Sequence, residues 1–327
     1  MPLLEVERLQ IEFPTRRGVL TAVDGLSLSI GAGEVLGVVG ESGAGKSLTG
    51  SAIIGLLEPP GRIAGGEIRF DGRRIDNLPP EEMRRIRGKE IGAIFQDPLT
   101  SLNPLYTVGR QLIETVRVHL GLDRAAARRR ALGLLQEVGI PAPEQRIDHY
   151  PHQFSGGMRQ RVVIALALAA NPRLVIADEP TTALDVSIQA QIIALLKRLT
   201  REHGMAVMLV THDMGVIAET ADRVAVMYAG RLVEHGPVRA VVQHPQHPYT
   251  VGLMGAIPML GVRRERLLQI DGAMPPLSAI PAGCAFHPRC PEAFARCRAE
   301  RPELLPAGAS AAACWLQAGT PQERARG

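Results

Sequence analysis

Eight residues, Gly40-Glu41-Ser42-Gly43-Ala44-Gly45-Lys46-Ser47, constrain this chain more than any other stretch. They fit the pattern G-x-x-x-x-G-K-[ST]. A continuous apolar run, Val35-Leu36-Gly37-Val38-Val39, precedes them and suits a strand buried on both faces of a parallel sheet. From Lys46 to Leu57 the pattern turns helical and stops before Pro59-Pro60-Gly61. Strand, glycine-rich turn and helix start, in that order, are the setting in which the pattern means a phosphate cradle. Glycines let successive backbone N–H groups turn toward phosphate oxygens, and the helix N-terminus favours negative charge. Lys46 supplies a point charge for β and γ phosphates, and Ser47 an oxygen for Mg²⁺. The alternative, an ordinary glycine-rich turn, must place there by chance one of only three lysines in 327 residues.

A second run, Leu174-Val175-Ile176-Ala177, delivers two adjacent carboxylates, Asp178 and Glu179. In open α/β sheets ligands sit at the C-terminal ends of strands. One carboxylate can hold Mg²⁺, and its neighbour can orient or deprotonate an attacking water. Alone, the pair reads equally well as a solvated strand end. A helical stretch from Val186 to Glu202 and another apolar run, Ala206 to Val210, follow. Strand, helix, strand predicts an α/β sheet with crossover connections. Leu4, Val6 and Arg8 alternate with Glu5, Glu7 and Leu9, and Leu26 to Ile30 alternates cleanly, so the first forty residues read as strands. Residues 97 to about 150 are rich in arginine, leucine and alanine at helical spacing and read as an inserted helical subdomain. A helix from Ser155 to Ala170 ends at Asn171-Pro172.

Composition narrows the partners. A hydrophobic fraction of 46% argues against disorder. The net charge of +4 could suggest nucleic acid, yet residues 1–254 hold 28 basic and 27 acidic residues, and residues 255–327 hold nine and six. Most of the excess lies in the tail, so nucleic acid is not an expected partner. The one basic run, Arg128-Arg129-Arg130, reads as the solvated face of a helix. The longest apolar run, Val162 to Ala170, is far short of the roughly 20 residues a membrane span needs. No secretory signal is visible at Met1-Pro2-Leu3-Leu4-Glu5, and a cytoplasmic placement is expected.

Further motifs give the chain a resemblance to the ATP-binding cassette (ABC) family. Ser155-Gly156-Gly157-Met158-Arg159-Gln160-Arg161 is similar to its signature motif and lies just upstream of Asp178-Glu179. Gln96, in Phe95-Gln96-Asp97-Pro98, matches the Q-loop glutamine. Ala183-Leu184-Asp185 matches the D-loop, and His212, in Thr211-His212-Asp213, the switch histidine. Phe13 occupies the place of the aromatic that stacks on adenine, with Arg17 as the alternative contributor. Taken singly, Gln96 is a surface polar residue, His212 a structural histidine and Phe13 plain core; their joint order favours the nucleotide roles. Two positions depart from the family pattern. Met158 stands where glutamine is commonest, and Leu48 where threonine is frequent, which removes one side-chain contact to the α-phosphate.

The resemblance implies an α/β fold over residues 1–254: an ABC-type nucleotide-binding domain with a RecA-like P-loop core, an antiparallel β subdomain and a helical subdomain at about 97–155. A small cysteine-containing extension, 255–327, follows. It implies ATP and Mg²⁺ as cofactors. Gly40, Ser42, Gly43, Ala44, Gly45, Lys46, Ser47 and Leu48 cradle the phosphates, and Ser47, Gln96 and Asp178 surround Mg²⁺. Glu179 is the general base, His212 holds the γ-phosphate, and Lys46 and Gln96 complete the catalytic set. Two such subunits sandwich the nucleotide head to tail, so Ser155 and Gly157 serve the partner's ATP; Gly156 and Asp185 belong to the same nucleotide-contacting set.

The tail sharpens the resemblance. Pro245-Gln246-His247-Pro248-Tyr249-Thr250 and Gly283-Cys284-Ala285-Phe286-His287-Pro288-Arg289-Cys290-Pro291 resemble the C-terminal region of dipeptide, oligopeptide and nickel importer ATPases. This subfamily implies a second ATPase subunit (a paralogue), two transmembrane permease subunits, an extracytoplasmic binding protein, and a place on the cytoplasmic face of the bacterial inner membrane. The remote alternative is a non-transport ABC protein acting on nucleic acid. All four cysteines, Cys284, Cys290, Cys297 and Cys314, lie in the tail with spacing C-x5-C-x6-C-x16-C. The subfamily implies a [4Fe–4S] cluster on them. Four thiolates also suit zinc, although the usual C-x2-4-C pairs are absent, and thiols without metal are the third reading.

Overall fold

The computed structural model describes residues 1–182, 184–256 and 269–318. The chain forms two compact units. One comprises Met1–Ser29, Leu36–Asp76 and Thr211–Gly327; the other comprises Ile30–Val35 and Asn77–Val210.

In the first unit, Gly18–Ile30, Leu4–Thr15, Arg62–Phe70 and Arg73–Arg74 form an antiparallel sheet in that spatial order. Leu4 faces Phe70 and Ile11 faces Ile63. The simple alternation expected for the first strand breaks at Arg8, whose φ is +46°, where the register slips between Glu7 and Gln10. This bulge flips the phase. Leu4 and Val6 are buried before it, Leu9 and Ile11 after it, and Leu9 therefore points into the core rather than away from it.

The unit's second set of strands runs Leu305–Ala307, Ser310–Ala312, Arg231–Pro237, Arg223–Tyr228, Val35–Val39. The last two are parallel, from Leu36 opposite Arg223 to Val39 opposite Val226. All five residues of Val35–Val39 are buried, as a strand covered on both faces requires. The tail does not stand apart from this body. Ala312 pairs with Glu234, which adds the short terminal hairpin to the sheet edge.

In the second unit, Ile91–Ile94, Leu174–Asp178 and Ala206–Thr211 are parallel neighbours. The helix Val186–His203 links the last two. The expected helical insertion is present as Pro98–Ser101, Val108–Leu120, Arg124–Glu137 and Pro143–Arg146, followed by the helix Gly156–Ala167. Its helices start where side chains satisfy free N–H groups: Thr107 accepts from Arg110, and Asp123 from Ala126. Gly121, at φ +67°, closes the first of the long pair. Leu112, Val116, Ala131, Leu134, Val162 and Ile164 are fully buried. The arginine run is not a uniformly solvated face. Arg128 makes a forked pair with Asp148 at 3.2 and 3.0 Å, and Arg130 donates to Asn171 at 2.5 Å, which leaves Arg129 as the exposed member.

Candidate nucleotide site

In the first unit, the strand Val35–Val39 ends in the phosphate loop and the helix Lys46–Ile53 begins directly after it. Three loop glycines have positive φ: Gly40 at +153°, Gly43 at +83° and Gly45 at +98°. Gly40 has a second reason to be glycine, because a Cβ there would collide with the Met227 carbonyl. A Cβ on Gly45 would come within 3.1 Å of the Ala22 carbonyl. Lys46 is 4% exposed, and its Nζ donates to the carbonyls of Gly40 at 2.8 Å and Glu41 at 3.0 Å. The ammonium thus lies inside the curl of the loop, where an anion bound by the backbone N–H groups would meet it. Ser42 and Ser47 are exposed, Ala44 is buried and Leu48 is partly covered. Phe13 is partly buried against the turn at Gly61, where an added Cβ would approach its ring to 2.8 Å. Arg17 is exposed. His212 is exposed just past the strand Ala206–Thr211. Asp213 beside it caps the helix Met214–Thr220 by accepting from Gly215 at 2.7 Å.

In the second unit, the strand Leu174–Asp178 carries Asp178 at its end and Glu179 one step beyond. Glu179 has φ +46°, in the left-handed region that non-glycine residues avoid at a cost of about 1–2 kcal/mol. Surrounding bonds hold it there. Its N–H donates to the Val210 carbonyl at 2.8 Å, and its carbonyl accepts from Thr182 N–H at 3.1 Å. Strain held in this way recurs at functional positions. The side chain is clamped as well: Oε2 accepts from Gln96 Nε2 at 3.1 Å and from Thr182 Oγ1 at 2.8 Å. Gln96 and Glu179, 83 positions apart, therefore meet directly, a contact that motif order did not specify. Thr182 is a site residue that sequence reading missed; its only signal is its place three residues after a carboxylate.

Ser155 caps the helix Gly156–Ala167, with Oγ accepting from Met158 N–H at 3.4 Å. Ser155 and Gly156 are exposed. Gly157 must lack a side chain, since a Cβ would lie 2.7 Å from Ile188 Cγ2. Asp185 is exposed and caps the helix Val186–His203, accepting from Ile188 N–H at 3.0 Å and Ser187 Oγ at 2.8 Å. Those bonds, that from Ile188 first, hold its carboxyl below the usual carboxylate range. Ala183, the first residue of the D-loop match, lies outside the described residues.

A buried strand, a glycine-turned phosphate loop with an internal lysine, and a carboxylate strand with a clamped glutamate define a phosphate-loop nucleotide hydrolase. The ABC transporter family model matches residues 23–182, and the model for the oligopeptide/dipeptide transporter C-terminal region matches residues 233–297. The chain is 49% identical over 304 residues to the dipeptide transport ATP-binding protein DppD of Escherichia coli, covering 93% of each chain. It is 48% identical over 318 residues to the oligopeptide transport ATP-binding protein OppD of Haemophilus influenzae, covering 97% of this chain and 98% of that one. A dimeric post-hydrolysis structure of the ATP-binding cassette MJ0796, bound to ADP and Pi, superposes with a TM-score of 0.65 at 31% identity over 72% of this chain and 99% of that one. The chain belongs to the ATP-binding protein family of dipeptide and oligopeptide ABC transporters. It is accordingly an ATP-hydrolysing subunit of an ABC transporter. No helix among the described residues is long and apolar enough to cross a membrane.

Proposed function

We propose that the chain hydrolyses ATP to energise import of dipeptides or oligopeptides across the cytoplasmic membrane, as a peripheral subunit on its inner face. The clamp on Glu179 carries the hydrolytic part: a carboxylate at a strand end, fixed by Gln96 and Thr182, is set to orient a water. Lys46 neutralises the β and γ phosphates, and Ser47, Gln96 and Asp178 take Mg²⁺. His212 reads the γ-phosphate. Ser155 and Gly157, exposed or half-exposed at a helix N-terminus, serve the nucleotide of a second, paralogous ATPase. The peptide cargo rests on the relatives' names and on the matched C-terminal region. Two permease subunits and an extracytoplasmic binding protein complete the importer.

We further propose that the tail cysteines hold a [4Fe–4S] cluster. All four are free thiols of the tail, Cys297 and Cys314 buried and Cys284 and Cys290 half-buried. Burial pushes Cys290 up to about 11 and Cys314 up to about 12, with the backbone N–H groups of Glu292 and Leu316 acting weakly in the other direction. Cys284 is likewise raised by burial, and its carbonyl accepts from His287 N–H at 3.0 Å. Thiols raised in this way stay protonated at neutral pH, so binding a cluster would require them to release their protons. Among the described residues no group of three or more His, Cys, Asp or Glu side chains is arranged to hold a metal ion, so the proposal rests on the four cysteines of the tail and on the matched C-terminal region. A bound cluster would cross-link the segments of the tail.

The test is the co-purified complex, prepared anaerobically and reconstituted in vesicles. Peptide uptake driven by ATP, lost in Glu179→Gln, supports the reading; ATP-driven nickel uptake without peptide uptake overturns the cargo. A brown protein with stoichiometric iron and sulfide supports the cluster, and a colourless one with stoichiometric zinc overturns it.

A further inference from the structure

The tail reaches the phosphate loop through one arginine. Arg289, the residue before Cys290, has a side chain only 7% exposed and places Nη1 2.9 Å from Glu41 Oε2. Glu41 is the second residue of the phosphate loop. Its carbonyl is one of the two that hold Lys46 Nζ, and its N–H donates to Tyr249 Oη at 2.8 Å. Arg289 is itself pinned. Its Nε donates to the Asp271 carbonyl at 2.8 Å, and its Nη2 to the carbonyls of Ile270 at 3.4 Å and Gly272 at 3.3 Å. The guanidinium also lies beside the Tyr228 and Phe286 rings, 5.8 and 5.9 Å from their centroids. Those two rings and Tyr249 pack edge to face or tilted, so the support beneath the loop is a rigid aromatic cluster. A third contact comes from Met274, which a Cβ on Gly43 would approach to 2.8 Å.

Nothing in phosphate binding requires a glutamate at the second loop position; the pattern leaves it open. Here the carboxylate is held by a buried cation from a segment 248 residues away. A buried cation held by further hydrogen bonds fixes geometry better than an exposed pair, because the arginine is desolvated and cannot swing away, while Glu41 keeps 29% of its side chain exposed. We propose that Arg289 is a positioning residue for ATP: through Glu41 it sets the entrance of the phosphate loop, with the carbonyl that holds Lys46, in the conformation that takes the nucleotide. The proposal rests on the reading that Gly40–Ser47 binds ATP.

The experiment measures the Kd of a fluorescent ATP analogue on the full chain for wild type, Arg289→Met, Arg289→Lys, Glu41→Gln, the Arg289→Met/Glu41→Gln double variant, and Lys46→Ala. Arg289→Met and Glu41→Gln are each expected to weaken binding at least fivefold, with the double variant no weaker than the worse single one. Arg289→Lys recovers part of the loss, and in steady-state turnover the defect falls on KM for ATP more than on kcat. Glu41→Gln removes the ion pair without substituting a tail residue, and a thermal melt of each variant that matches wild type separates lost positioning from misfolding of the cysteine segment. Binding within twofold of wild type in both single variants, or losses that multiply in the double variant, overturns the proposal while loss of binding in Lys46→Ala upholds the loop reading. Retained binding in Lys46→Ala overturns the loop reading and this proposal with it.

Discussion

Gln96 Nε2 donates to Glu179 Oε2 at 3.1 Å, joining residues 83 positions apart. The amide fixes the direction of the carboxylate proposed above as the general base, and it ties the end of the strand Ile91–Ile94 to the end of Leu174–Asp178. Glu179→Gln keeps the shape and removes the proton acceptor. ATP binding is expected to stay within threefold of wild type while turnover falls by about 10²–10⁴-fold, as for loss of a general base. Single-turnover phosphate release measures it, and undiminished turnover would remove Glu179 from that role.

Thr182 supplies the second bond to the same oxygen, at 2.8 Å. Thr182→Val preserves shape and deletes the donor. The expected result is a fall in kcat of roughly threefold to tenfold, equivalent to about 1 kcal/mol, with nucleotide Kd unchanged and Thr182→Ser restoring the rate. Equal rates in Thr182→Val and wild type would show that Gln96 alone suffices.

Gly40 answers two demands at once, a φ of +153° and a closely packed Met227 carbonyl. Gly40→Ala is expected to cost on the order of 3 kcal/mol and to lower the melting temperature by roughly 6 °C or more. Gly121→Ala, where the φ is +67° but nothing lies within 4 Å of an added Cβ, is expected to cost only about 1 kcal/mol. Thermal melts of the two variants side by side separate collision from backbone strain.

His247 gives the first unit an acid-sensitive point. Its Nδ1 accepts from Tyr249 N–H at 3.0 Å, which caps the helix Pro248–Gly255 and requires a neutral ring. Burial lowers its pKa to about 4. Between about pH 6.5 and 4 the unfolded chain binds a proton here that the folded chain refuses, so stability rises with pH across that window. The contribution is complete above about 6.5 and is lost as pH falls toward 4, on the order of 3 kcal/mol in all. His247→Asn, which can still cap the helix, is expected to flatten that part of the curve in urea titrations at pH 7 and pH 5. An unchanged difference between the two pH values would place the acid sensitivity at another group; the buried Glu234, whose carboxyl burial holds above its usual range, is not that group, because a raised carboxyl favours the fold as pH falls.

Much of the site was legible because its parts are local. The phosphate loop needs glycines at fixed offsets between a buried strand and a helix, and eight consecutive residues state that pattern. Ser155, Asp185 and Asp213 cap their helices through N–H groups two or three residues onward, so short-range chemistry places them. The order of strands and helices followed from apolar periodicity, and the family resemblance followed from motif order. The phase of the first strand was not legible, because a bulge at Arg8 reverses inside and outside without altering the alternation on either side.

What the sequence by itself determined is the presence of a phosphate cradle and a carboxylate strand end, each written in neighbouring residues, and of four thiols confined to the tail. Only the tertiary structure decided which distant groups brace them. It set Glu179 in a left-handed conformation between Gln96 and Thr182, folded the tail hairpin onto the strand Arg231–Pro237, and brought Arg289 against Glu41. Such pairings leave no periodic trace, because each depends on chain segments that meet only after the core has packed.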